Sequence, residues 1–195
     1  MKHRRLFAFV LALSVAGSLA AAPPAKKAAE AKPAKPEYRR VTLSGGPGKD
    51  LPFTIEIPGD WQMRQEQGYP GLWLGPADAR PPQDPRLIWV RGSQVSLANP
   101  EDVVKNIKAN DEAKQEWTAP LVEVRDLGGL KAVLVRMDSG EGDAARSTLT
   151  LKLPLGQLGL DLMASASRAE FEKRAGMYER ILLSVRPVAP AGKAN

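Results

Sequence analysis

Asp138, Glu141 and Asp143 set three carboxylates within one short glycine-containing segment, Asp138-Ser139-Gly140-Glu141-Gly142-Asp143. Carboxylate oxygens are the hard ligands that calcium prefers, and a calcium ion needs about six to eight of them. The segment lacks the alternating acidic positions of an EF-hand loop, and acidic turns between strands are ordinary solvated surface. The expectation is therefore no metal, with these three residues as the positions a calcium ion would use. Two further acidic pairs, Glu101-Asp102 and Asp111-Glu112, are placed where helix ends account for them.

Other catalytic chemistry finds little to work with. The chain has no cysteine, and its one histidine, His3, lies in a segment expected to be removed on export. That takes away the commonest general base and the most reactive nucleophile. No serine sits in a G-x-S-x-G elbow, and no S-x-x-K spacing occurs. The sequence thus reads as a non-enzyme with no cofactor. The alternative is a hydrolase that works with carboxylates alone.

Aromatic residues are the remaining candidates for a ligand surface. Trp73 borders a proline-rich stretch, with Arg80 and Arg86 close in sequence, and aromatic and arginine side chains together favour an interface. A competing surface is the polar face of a strand bearing Thr148, Thr150 and Lys152. Trp61 is expected to plug a sheet edge and Trp89 to pack under a helix, which makes core residues of both.

These residues need elements to hold them. Val41–Leu43 and Phe53–Ile57 read as strands around Gly45-Gly46-Pro47-Gly48-Lys49-Asp50, which reads as a hairpin loop rather than a phosphate loop. Pro58-Gly59-Asp60-Trp61 turns the chain. Gly71–Leu74 and Leu87–Arg91 are short apolar strands, separated by Gly75–Pro85 with its four prolines. Asn99-Pro100-Glu101-Asp102 starts a helix that should end near Lys114. Val122–Leu127 and Leu130–Met137 flank Gly128-Gly129, a two-residue hairpin signal. Arg146–Leu153 and Leu158–Ala166 flank a second turn at 154–157. Ser167-Arg168-Ala169-Glu170 reads as a capping box, opening a helix with Phe171, Ala175, Tyr178, Leu182 and Val185 at helical spacing. Strands, a helix, four strands and a closing helix make an α+β layout with a mainly antiparallel sheet.

Residues 1–20 read as a signal peptide. Lys2, Arg4 and Arg5 precede an apolar run from Leu6 to Val15, and Ser18 and Ala20 supply the small residues before a cut after Ala20. The run is short of the roughly 20 residues of a membrane-spanning helix, so no stable membrane anchor is expected. Residues 21–37 are almost wholly Ala, Lys, Pro and Glu and read as a flexible linker; its lysines could touch anionic surfaces weakly. Residues 38–188 form one domain, and 189–195 a frayed tail. The net charge of +6 belongs to the ends. Three basic residues fall in the leader, four in the linker and one at Lys193, and Glu30 and Glu37 are the acidic residues outside the domain, which leaves 20 basic and 20 acidic residues in 38–188. A neutral domain without a basic stripe is a poor nucleic-acid binder, so no nucleic-acid partner is expected.

The pattern resembles the Mog1/PsbP-like group, which includes the DcrB-related bacterial envelope proteins. The carrying motifs are Phe53-Thr-Ile-Glu-Ile-Pro-Gly-Asp-Trp61, the Asn99-capped helix, Leu127-Gly-Gly-Leu-Lys-Ala132 and the closing helix ending Ile181-Leu-Leu-Ser-Val185. The chain departs from the lipoprotein members in lacking a lipid-bearing cysteine, and has Val185 where an aromatic is expected. The resemblance implies a sandwich of helices on an antiparallel sheet. It also implies mostly non-enzymatic roles in binding or assembly; with the leader, the linker and the absence of cysteine, the expectation is a soluble periplasmic or secreted module of the cell envelope with another envelope protein as partner.

Overall fold

Phe53, Ile55 and Ile57 alternate with Thr54 and Glu56, and the alternation becomes the buried side of β2 (Asp50–Pro58), paired antiparallel with β1 (Tyr38–Ser44). The structure is a computed structural model that describes residues 37–44, 50–93, 99–112, 116–155 and 158–188. These residues all belong to one compact unit, Lys35–Asn195. The leader, nearly all of the linker, the 45–49 loop, the expected helix end at Lys114, the 156–157 turn tip and the 189–195 tail lie outside the described residues.

The chain then builds a second, larger sheet. Its strands are β3 (Trp61–Arg64), β4 (Leu72–Pro76), β5 (Ile88–Ser93), β6 (Trp117–Asp126), β7 (Lys131–Ser139), β8 (Arg146–Leu155) and β9 (Leu158–Ser167). Their spatial order is β3-β4-β5-β9-β8-β7-β6, and every neighbouring pair is antiparallel. Gly128 and Gly129 join β6 to β7 with φ of 77° and 87°, which the mirror-image hairpin turn demands at both positions. Helix α1 (Pro100–Glu112) lies between β5 and β6 in sequence, and α2 (Arg168–Leu183) follows β9.

Period two splits the large sheet into two faces. Leu149, Leu151, Leu153, Leu160 and Leu162 face inward and share one core with Phe171, Tyr178, Ile181 and Leu182 of α2 and with the buried side of β2. The small sheet and α2 thus cover the same face of the large one. Burying an aromatic of this kind contributes about 2–3 kcal/mol. On the opposite face Val122, Val133 and Val135 meet Val103 of α1, with Val104 and Ile107 packed alongside.

Four local expectations change. The stretch after the Pro58–Asp60 turn is strand β3, because Arg64 pins it to the carbonyls of Ala77 and Ala79 while it pairs with β4. Arg186–Pro187 forms a two-residue strand, β10, on β2. Ser184 guides it there: its Oγ accepts from the Glu56 N–H at 2.7 Å and donates to the Ile181 carbonyl at 2.6 Å. The capping box at Ser167 does not form. Glu170 turns to Lys173 and Arg174 instead, and the Arg168 N–H donates to the Ala145 carbonyl at 3.0 Å. Trp89 does not lie under a helix; it stacks on Trp73 on the face away from α2.

Candidate functional site: the open face of the large sheet

Cross-strand register carries one row of side chains across all seven strands. Arg64 stands beside Trp73, Trp73 beside Trp89 and Trp89 beside Met163. Met163 is opposite Thr150, Thr150 opposite Val135 and Val135 opposite Val122. Directly opposite residues share a face, so the row marks the face turned away from α2. Helix α1 covers its β6–β7 end. The stretch from β4 to β8 is left with two hollows that meet at Met163.

The first hollow holds about 290 Å³ and is lined by Tyr69, Trp73, Leu87, Trp89 and Met163, with Arg146 and Ser165 at its polar side. Trp73 and Trp89 stack in parallel, with centroids 5.4 Å apart and planes 7° from one another. Tyr69 meets Trp73 edge-on at 6.2 Å. Gly71, at φ 109°, lets the chain pass this close: a Cβ there would strike the Val90 carbonyl. The Trp89 indole donates to the Pro70 carbonyl at 3.0 Å, which fixes its ring.

The proline-rich loop walls this hollow and is braced from three sides. Arg64 holds the carbonyls of Ala77 and Ala79. Arg86 binds the Asp84 carboxylate at 2.7 Å and that of Asp78 at 2.9 Å. These bonds, above all the hydrogen bonds from Arg86, hold the Asp84 pKa down at about 2. From the core, the Tyr178 hydroxyl donates to the Pro85 carbonyl, and burial pushes its pKa up to about 12. Proline and this bracing leave little ordering cost for a ligand to meet.

The second hollow, about 190 Å³, lies between β5, β8, β9 and α1. Lys152 grips both oxygens of Asp161 at 3.0 Å, and the two side chains are only 17% and 5% exposed. Arg91, on the strand beside Asp161, holds its guanidinium 4.7 Å over the Trp89 ring.

The residues singled out by sequence fall as follows. Trp73 is 4% exposed and forms part of the wall of the first hollow. Arg80 is exposed on the loop, and its carbonyl accepts from the Asp84 N–H at 3.2 Å. Arg86 spends its guanidinium on Asp84 and Asp78, so it shapes the loop. Thr148, Thr150 and Lys152 lie on the same face as Trp73, so the two competing surfaces are parts of one. Asp138 faces Arg136 at 3.2 Å, whereas Glu141 and Asp143 are exposed, and among the described residues no three acidic side chains gather where an ion would sit. Sequence reasoning passed over Arg91, Asp161 and Met163, and placed Trp89 in the core under a helix. Alternation along β5 and β9 was their signal, but only the register shows that they meet.

No family model and no curated protein matches the sequence. Solved structures do match in fold. The cyanobacterial PsbP protein (CyanoP) of Synechocystis sp. PCC 6803 is 14% identical, with a TM-score of 0.51 over 80% of this chain and 96% of its own. The fold is Mog1/PsbP-like. LpqN of Mycobacterium tuberculosis, described as involved in cell envelope biogenesis, is 17% identical over 76% of this chain and 90% of its own, with a TM-score of 0.48. In the Mog1/PsbP-like frame of this chain, α2 and the small sheet occupy one face of the large sheet, and the row through Trp73 and Trp89 crosses the other. Among the described residues, no helix is long and apolar enough to cross a membrane.

Proposed function

We propose that the protein is an exported, non-enzymatic accessory module of the bacterial cell envelope that docks a segment of another envelope protein on the open sheet face. The observation that carries the reading is the Trp73–Trp89 stack, set in a braced apolar hollow whose polar side carries Arg146 without a carboxylate partner. Arg146, which lines the hollow, forms no ion pair among the described residues, whereas Asp84, the carboxylate in the lining, is paired with Arg86. Charge complementarity therefore selects an acidic segment carrying an apolar or aromatic anchor. The leader and linker at residues 1–37 support export and a tethered reach. The fold shared with CyanoP and the envelope role printed for LpqN are compatible with this reading and do not carry it.

The carboxylate-only hydrolase is the second reading. What speaks for binding instead is that the carboxylates lining the two hollows, Asp84 and Asp161, are each tied to a cation. A general acid needs a carboxyl that holds its proton near the working pH, and Asp84 is shifted the other way.

In-cell crosslinking separates the two. A photoreactive residue at Arg146 or Ser165 is expected to trap an envelope protein, while one at Lys173 on the exposed side of α2 is expected to trap none. Adducts from Lys173 alone would move the surface to α2. No adduct from either groove position, or turnover lost in a single carboxylate variant, would overturn the proposal.

A further inference from the structure

We propose that the second hollow is a binding site for a small organic acid, a single carboxylate on an apolar body. Three observations carry this, and none depends on the docking reading of the first hollow.

The first is an unmet hydrogen-bonding group. Thr150 sits mid-row, is 2% exposed, and its Oγ1 has no partner. A buried hydroxyl left unsatisfied is costly, and a ligand oxygen relieves that cost. The second is charge. Arg91 and Lys152 place two cations against the one carboxylate of Asp161. Lys152 spends two contacts on Asp161 and keeps further donor capacity. Arg91 makes no ion pair among the described residues, its buried Nε has no partner, and its guanidinium carbon lies 4.7 Å over the Trp89 ring. One unbalanced positive charge, presented by a planar fork, selects a carboxylate. The third is the remaining lining: Val135, Met137, Met163 and Ile107 are apolar, and methionines adapt to irregular shapes. At about 190 Å³ the hollow lies below the roughly 300–1,000 Å³ of drug-sized pockets, so the ligand is small.

The shared chemistry has two sources, a free acid or the C-terminus of a peptide. Calorimetry on the full chain distinguishes them. The probes are hexanoate and 3-phenylpropanoate with their amides, and a tripeptide ending in phenylalanine with a free or amidated terminus. One acid or the free-ended peptide is expected to bind at a single saturable site, and its amide at least about tenfold more weakly. Arg91→Gln should weaken it by about tenfold or more, and Thr150→Val several-fold, with the circular dichroism unchanged. Binding of the peptide alone assigns the site to chain termini, and binding of the acids alone to free metabolites. Should Arg91→Gln fail to fold, chemical-shift mapping on the unaltered chain replaces it, with shifts expected at Arg91, Thr150 and Lys152. No binding by either probe class, equal binding of acid and amide, unchanged affinity in Arg91→Gln, or shifts confined elsewhere would each overturn the assignment.

Discussion

Asp84 shows how much one side chain contributes to the shape of the candidate site. It accepts from the Arg86 backbone N–H at 2.9 Å and from the guanidinium at 3.0 and 2.7 Å, which closes the proline-rich loop on itself. These bonds lower its pKa from 3.8 to about 2, so the stabilisation is present in full above about pH 4 and is lost as the pH falls through 2. Arg86 is 36% exposed, and solvent screening reduces the gain to about 1–2 kcal/mol. Asp84→Asn is expected to cost that amount in urea denaturation near neutral pH, with the difference from the parent shrinking as the pH falls from about 4 toward 2. An equal penalty at both ends of that range would show that shape, rather than charge, holds the loop. Lys152 and Asp161 make the opposite kind of pair: both are largely out of water, where a pair adds little net stability and loss of one partner is costly.

Elements separate what the sequence shows from what it hides. Phe171, Tyr178 and Leu182 recur at helical spacing and are buried and Ala175 is partly so, as the amphipathic pattern of α2 says, whereas Val185, expected on the same helix, is buried just beyond its end at Leu183. Phe171→Ala is expected to cost about 3–5 kcal/mol by chemical denaturation, because the ring lies between α2 and the sheet and leaves a cavity behind. A loss below about 1 kcal/mol would mean that the site collapses around the gap. The hairpins were legible for a similar reason, since Gly128-Gly129 carries its turn chemistry in two adjacent residues. Strands β3 and β10 were not, because four and two residues give no period to read. The candidate site was half legible. Trp73 and the Thr148–Lys152 alternation each announced a surface, but nothing in the chain says that β9 inserts between β5 and β8. That crossing brings Met163 between Trp89 and Thr150, and so turns two surfaces into one. Arg86 misled because its guanidinium is spent within the loop, on Asp84 two residues before it and on Asp78 across the loop.

For the whole molecule, the decisive quantity is where the charge lies. A net +6 concentrated in the leader, linker and tail leaves a domain with 20 basic and 20 acidic residues, so long-range attraction to a polyanion cannot be what delivers it to a partner. On the proposed reading, delivery falls to the leader: three cations ahead of a short apolar run are the pattern expected of an export signal, with Ser18 and Ala20 as the small residues before the expected cut. In the proposed exported form, the Ala/Lys/Pro composition of 21–37 predicts a spacer with a weak pull toward anionic surfaces. The expected outcome is a mature chain beginning at Ala21, found by N-terminal mass spectrometry in the soluble envelope fraction. Deleting 21–36 should leave the melting temperature of the domain unchanged, because alanine, lysine, proline and glutamate offer no apolar mass to bury. A full-length species that resists carbonate extraction from membranes would make the leader an anchor. It would also restrict the partner to membrane-proximal proteins.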